Sequence, residues 1–224
     1  GKSGGEYPLI LIKSQLREEM VSKIDTLIDL AESYNWNDLL EKIETQYYFI
    51  DYCRLVADDS TEPPKLFTPL HFAAEGKAPK EVIEKLIDKG ASLTLKSNEG
   101  ETPYDIAVRQ NLPEDVVSLL QLPEDIRMQE DEIKKMEEGL HKTILKRVKD
   151  LIDEYKVQLP QVAYMYEKGN YFCSIPMMYG GFHVKDHQDG IETYSFIRIC
   201  GGSGQMHLIK RNGKVKLIKD KMIV

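Results

Sequence analysis

The chain has 224 residues, a net charge of −7, 42% hydrophobic content and 30% charged content. That balance suits folded cores and excludes a fibre or a wholly disordered chain. No run approaches the roughly 18 consecutive apolar residues of a membrane-spanning helix, and the stretch from Tyr7 to Ile12 is too short for a signal-peptide core.

Gly1-Lys2-Ser3-Gly4-Gly5 reads as a processed or added start, which leaves room for a targeting segment once preceding it. From Leu16 to Ile43 the apolar spacing predicts helices. This stretch aligns with a later one at an offset of 43, Ala31 lying under Ala74, Glu32 under Glu75 and Ile43 under Leu86. The connection from Tyr47 to Phe67, polar and proline-rich between Asp58 and Pro64, is expected to be long, irregular and exposed.

At an offset of 34 the sequence repeats itself. Thr68 falls on Thr102, Pro69 on Pro103, Ala73 on Ala107, Pro79 on Pro113, Val82 on Val116 and Leu86 on Leu120. Each unit reads as helix, turn, helix: threonine caps the first helix, proline occupies its first turn, and Leu70, Ala73 and Ala74 share one face. Val82, Ile83, Leu86 and Ile87 repeat the spacing in the second helix, which Gly90 ends. Ser92 to Glu101, turning at Asn98-Glu99-Gly100, predicts a small projecting hairpin.

Thr68 to Ala74 resembles the T-P-L-H-x-A-A helix start of the ankyrin family, and Gly90-Ala91-Ser92 resembles its G-A-D. The second copy departs at Tyr104-Asp105 and carries Ser97 where the hairpin usually has aspartate. The resemblance implies stacked helix pairs, with His71 structural and tying its helix start to neighbouring backbone. It also implies a concave face of hairpin tips and first helices that binds a protein partner. On this chain Glu75, Lys77, Ser97, Asn98, Glu99, Arg109 and Gln110 would line that face.

From Pro123 onward Ile126, Ile133, Met136, Leu140, Ile144, Val148, Leu151 and Tyr155 form an amphipathic stripe, one helix or two, with Gly139 a possible break. The stripe is expected to cover the apolar end of the repeat stack. Beyond Pro160 the period changes to two. Strands are predicted at Val162–Tyr166, Tyr171–Ile175, Gly181–Lys185, Thr193–Cys200, Gln205–Arg211 and Lys214–Lys219, an antiparallel meander whose apolar face needs a partner, the long helix being nearest. The fold class is α+β: a short ankyrin-type repeat array with capping helices, then a long helix and a small antiparallel β-meander. The expected domains are 1–122 (a degenerate repeat at 16–46, repeats at 68–101 and 102–122), the helix 123–156 and the β domain 157–224.

Chemistry-bearing clusters are sparse. Cys53, Cys173 and Cys200 form no C-x-x-C pair and read as buried free thiols. The alternative to a binding role is an enzyme centred on Met178 to Phe182, or a metal site from His183, Asp186, His187, Asp189 and His207, in the C-terminal β domain with the repeats as docking platform, but glycines at a strand bend and solvated turn residues suit those patterns better. Gly201-Gly202-Ser203-Gly204 has no lysine-serine ending and reads as a hairpin turn instead of a phosphate loop. From Gln205 the tail carries six basic residues against Asp220, +5 against −12 for the remainder, and Lys214, Lys216 and Lys219 read as guards of an edge strand. The expectation is a monomeric cytoplasmic adaptor with a protein partner and no enzymatic activity, metal, cofactor, nucleic acid or membrane partner.

Overall fold

A computed structural model describes residues 5–9, 12–199 and 202–222. They form two compact units, one from the described residues within 11–122 and the other from those within 1–10 and 123–224.

In the first unit a 3₁₀ turn at Lys13–Gln15 leads into α1 (Glu18–Glu32), which buries Ile24, Leu27, Ile28 and Ala31 along one stripe. Asn35 accepts a hydrogen bond from the Asp38 amide and starts α2 (Trp36–Gln46), which buries Leu39 and Ile43 one turn apart. After a 3₁₀ turn at Tyr47–Phe49 the connection to Phe67 has no helix or extended strand. It contributes one isolated bridge, between Val56 and Ile12.

The 34-residue repeat then gives α3 (Pro69–Glu75) with α4 (Lys80–Asp88), and α5 (Pro103–Arg109) with α6 (Glu114–Leu119). First helices pack on first helices, α1 on α3 and α3 on α5; second helices follow, α2 on α4 and α4 on α6. The degenerate upstream copy is therefore a helix pair stacked in the same layers. Close approach of α3 to both neighbours rests on Leu70, Ala73 and Ala74, all fully buried. The turns between paired helices also repeat: Lys77 and Asn111, 34 apart, both hold positive φ, at 51° and 55°.

His71 fixes how each loop meets the next helix. Its Nδ1 lies 3.2 Å from the Thr68 amide and 2.8 Å from the Thr68 hydroxyl, accepting from both, so Nε2 carries the proton and donates to the Glu101 carbonyl at 3.1 Å. In the second copy Asp105 does the first half of this job, accepting from the Thr102 amide at 3.0 Å. Burial lowers the His71 pKa to about 4. A folded value below the unfolded one means that stability is complete above the unfolded value of about 6.5 and falls as pH drops from there towards 4. Denaturant unfolding of the chain between pH 7 and pH 4.5 is expected to show this loss, with a shallower slope in His71→Gln and a lower stability of that variant at pH 7.

In the second unit β1 (Gly5–Glu6) pairs parallel with β2, and the rest of the sheet is an antiparallel meander in chain order: β2 (Tyr171–Ile175), β3 (Gly180–His187), β4 (Gly190–Ile197), β5 (Ser203–Lys210) and β6 (Val215–Met222). Residues 5 and 6, placed by sequence with the repeats, thus join the sheet. Tyr7 anchors them: its amide donates to Phe172, its hydroxyl accepts from the Gln161 amide, and its ring packs 4.9 Å from that of Tyr171. Short α7 (Glu124–Met128) precedes α8 (Glu130–Glu154), and α9 (Val162–Lys168) precedes the sheet.

Two expectations are corrected here. Val162–Tyr166 is helix α9 instead of a strand. Val162 and Met165 share its buried face, Gly169 at φ +105° ends it, and the strand-favouring tyrosines are engaged elsewhere, Tyr164 against Tyr7 and Tyr171, Tyr166 reaching the Met136 sulfur. Gly139 does not break α8, whose one non-helical residue is Val148 (φ −141°, ψ 35°). The kink re-phases the stripe, so that Ile152 is buried where Leu151 was expected. Ile133, Met136, Leu140 and Ile144 are buried, and α8 packs on α9 and on β4, β5 and β6. Cys200, Gly201 and Gly1 to Gly4 lie outside the described residues.

Gly139 serves close approach instead. A Cβ there would lie 2.7 Å from the Gly213 carbonyl oxygen and 2.8 Å from Ile209 Cγ2, so the β5–β6 hairpin rests on the bare helix backbone. Alanine in a helix interior ordinarily gains about 1 kcal/mol over glycine. Gly139→Ala is expected to reverse that sign and lower the melting temperature; a melt at or above wild type would refute the close-packing account.

Candidate functional site

Residues 92–101 form a loop turning at Asn98-Glu99-Gly100 without the strand pairing of the expected hairpin, and its tip and the first helices of the repeats enclose a hollow of about 310 Å³ lined by Lys65, Phe67, Glu75, Asn98, Glu99, Glu101 and Arg109. Its geometry follows from the helix starts. The Glu101 carbonyl accepts from His71 Nε2 and from the Ser97 amide at 2.8 Å, which fixes the stem of the loop and aims the Glu101 carboxylate at α5. There Arg109 Nε and Nη2 donate to the two Glu101 oxygens at 2.9 and 3.1 Å, and Nη2 also donates to Glu75 at 2.8 Å. Gln110 donates to the other Glu75 oxygen at 3.0 Å. Glu75 belongs to one repeat and Arg109 to the next, at the period of 34.

The opposite wall is built by the connection. The Lys65 carbonyl accepts from the Asn98 amide at 3.1 Å, and Lys65 Nζ sits 4.2 Å from the Phe67 ring centroid. The Phe67 ring in turn stacks 5.3 Å from His71. Hydrogen bonding from Arg109 holds the Glu75 carboxyl below its ordinary range despite an opposing effect of burial, and hydrogen bonds to Glu101 and Glu75 hold the Arg109 guanidinium above its own. The hollow is thus a charged, hydrogen-bonded dish with one aromatic wall.

Of the seven residues expected at this face, Glu75, Asn98, Glu99 and Arg109 line the hollow. Gln110 stands behind it, holding Glu75, and Lys77 lies exposed on the turn after α3. Ser97 is buried: its hydroxyl accepts from the amides of Glu99 and Glu101, both at 3.3 Å, so it shapes the loop from within. Lys65, Phe67 and Glu101 were not foreseen. The repeat itself carried the signal, since at the offset of 34 Lys65 falls on Glu99 and Phe67 on Glu101, the corresponding positions ahead of the preceding helix.

The histidines of the sheet do not assemble. His183 pairs across the ladder with Tyr194, and His207 with Thr193, the neighbouring residue on the same strand, so their side chains leave opposite faces. His183 packs against Phe172 at 4.6 Å, and His187 Nδ1 accepts from the Asp189 amide at 3.0 Å. Among the described residues no group of three or more His, Cys, Asp or Glu is placed to hold a metal ion. Cys53 and Cys173 are buried free thiols; burial pushes the Cys53 pKa up to about 12 and Cys173 higher still, which suppresses the nucleophilic thiolate.

The Glu75–Arg109 pair is partly exposed, so a Glu75→Gln, Arg109→Ala double-mutant cycle is expected to return only about 0.5 kcal/mol of coupling in dilute buffer and less in molar salt. A salt-independent coupling several times larger would mean that the pair acts as a structural clamp.

Residues 53–107 match the family model for ankyrin repeats (many copies). No curated protein and no solved structure compared with the chain matches it. No helix among the described residues is long and apolar enough to cross a membrane.

Proposed function

We propose, because the chain carries ankyrin repeats, which serve in general as protein-interaction modules, that the hollow between the connection, the loop tip at Asn98 and Glu99 and α5 is where this protein holds a protein partner. One observation carries the reading. Residues from two successive repeats and the preceding connection converge on one concave surface, yet the apolar core that stacks the helices lies elsewhere, at Leu70, Ala73, Ile83, Leu86, Ile106 and Ala107. Asn98 and Glu99 are exposed at the loop tip and are free to set specificity without disturbing packing. The chain is then a monomeric, cytoplasmic, non-catalytic adaptor whose repeat region is the binding domain. The helix–sheet unit supplies the rest of the scaffold.

The hollow is small beside the roughly 1,000 Å² of surface that a stable complex buries, so the partner must also cover surface beyond it. Lys65, exposed over the buried Phe67 ring, and Glu99 supply the exposed charges that select the partner. The test is crosslinked affinity capture with wild type, Glu99→Lys and Asn98→Ala, with Lys149→Gln on α8 as control. A partner held by wild type and the control but lost from Glu99→Lys is the expected result. A partner retained equally by all four would place binding elsewhere.

A further inference from the structure

A second cavity, of about 630 Å³, opens between α8 and the β5–β6 hairpin. One wall is cationic, formed by Lys142 and, one turn later, the adjacent Lys146 and Arg147 of α8; the other is apolar, formed by Val215 and Leu217, which remain 41% and 50% exposed on the edge strand. His207 completes the floor. The residues follow from the fold: the spacing of four places Lys142 and Lys146 on one helix face, Arg147 borders the cavity from the adjacent face, and alternation along β6 turns Val215 and Leu217 to the same side.

Two polar atoms here are buried without a hydrogen-bond partner among the described residues, Arg147 Nε and His207 Nδ1. Arg147 is already oriented, with Nη2 donating to the Ser203 carbonyl at 3.1 Å and to its hydroxyl at 3.0 Å, while its Nε–H is left uncommitted. A buried, unmet guanidinium N–H beside two lysines is costly unless an acceptor meets it. Burial, then the charges of Arg147 and Lys146, push the His207 pKa below its ordinary value, in keeping with a site of excess positive charge. Asp220, opposite Gln205 on β6, is the acidic group whose charge reaches Arg147 and His207; it is exposed and only partly offsets the three cations.

We propose that this cavity binds a phosphomonoester carrying a planar or apolar organic group, the phosphate held by Lys142, Lys146 and Arg147 and the organic group laid on Val215 and Leu217. A guanidinium fork flanked by two ammonium groups matches a phosphate dianion better than a single carboxylate. The cavity volume falls in the range of small-ligand sites, about 300–1,000 Å³. The site belongs to the helix–sheet unit and is independent of the repeat hollow, so the two readings stand or fall separately.

The test is titration calorimetry of the full chain with AMP, inorganic pyrophosphate and sulfate, alongside sedimentation with phosphatidic-acid vesicles. AMP is expected to bind saturably and more tightly than sulfate, with affinity reduced about tenfold or more in Lys146→Gln and in Arg147→Gln. The control Lys149→Gln, altering a lysine paired with Asp153 outside the cavity, should leave affinity unchanged. Leu217→Asn should weaken AMP but not pyrophosphate. Lys146 is exposed, so its variant keeps the test decisive if Arg147→Gln melts early. Vesicle binding lost in Lys146→Gln, without AMP binding, supports the same site with a lipid-borne phosphate as source. No saturable binding of any phosphate probe at millimolar concentration, equal binding of sulfate, or equal weakening by Lys149→Gln would overturn the assignment.

Discussion

The neutral imidazole of His71 joins one repeat to the next, and much of the first unit follows from it. Both ring nitrogens are committed, one to the start of its own helix at Thr68 and the other to the Glu101 carbonyl at the end of the following loop. Fixing that carbonyl places the Glu101 carboxylate where it grips Arg109, and Arg109 in turn reaches back to Glu75. The concave surface is therefore a by-product of helix capping: the bond that starts α3 also sets one rim of the hollow. A protonated imidazole would surrender its contact with the Thr68 amide, so the same residue couples the shape of the surface to acidity.

The second unit rests on a different constraint, the nearness of a helix backbone to a hairpin. With no side chain at Gly139, the β5–β6 turn comes down onto α8, and the sheet face bearing Phe182, Val184, Ile191 and Ile209 is buried. Further along, the helix carries lysines and arginine where the sheet offers only the exposed edge of β6, and the surfaces part to form the cationic cavity. Tight packing at one point of the helix and a gap one to two turns later are two results of the same residue sequence.

Local signals were readable where one residue type decides the geometry. Thr68-Pro69 and Thr102-Pro103 announced both helix starts, and the meander strands from Tyr171 onward were legible from alternation and turn residues. What escaped depended on distant neighbours. Tyr164 and Tyr166 favour a strand in isolation, yet α9 forms because their rings are needed against Tyr7, Tyr171 and Met136. The strand at Gly5–Glu6 is too short to show a pattern, and its partner, β2, lies beyond the whole repeat array in sequence. At the candidate site the loop-tip residues were visible through the repeat. Lys65 and Phe67 were hidden because the connection that holds them looked merely irregular, and the cavity on α8 had no motif, since its cations are spaced as on any solvated helix face.

The parallel pairing of β1 with β2 bears on how the chain is made. β1 precedes the whole helical repeat array in sequence and β2 follows it, so that array is synthesised between the two strands. The repeats depend on contacts between near neighbours in sequence and can order as they emerge, whereas the first strand must wait, unpaired, for a partner at large sequence separation. Pairing of β1 is therefore a non-local event that must follow synthesis of β2, and anything that captures β1 before then competes directly with the native ladder.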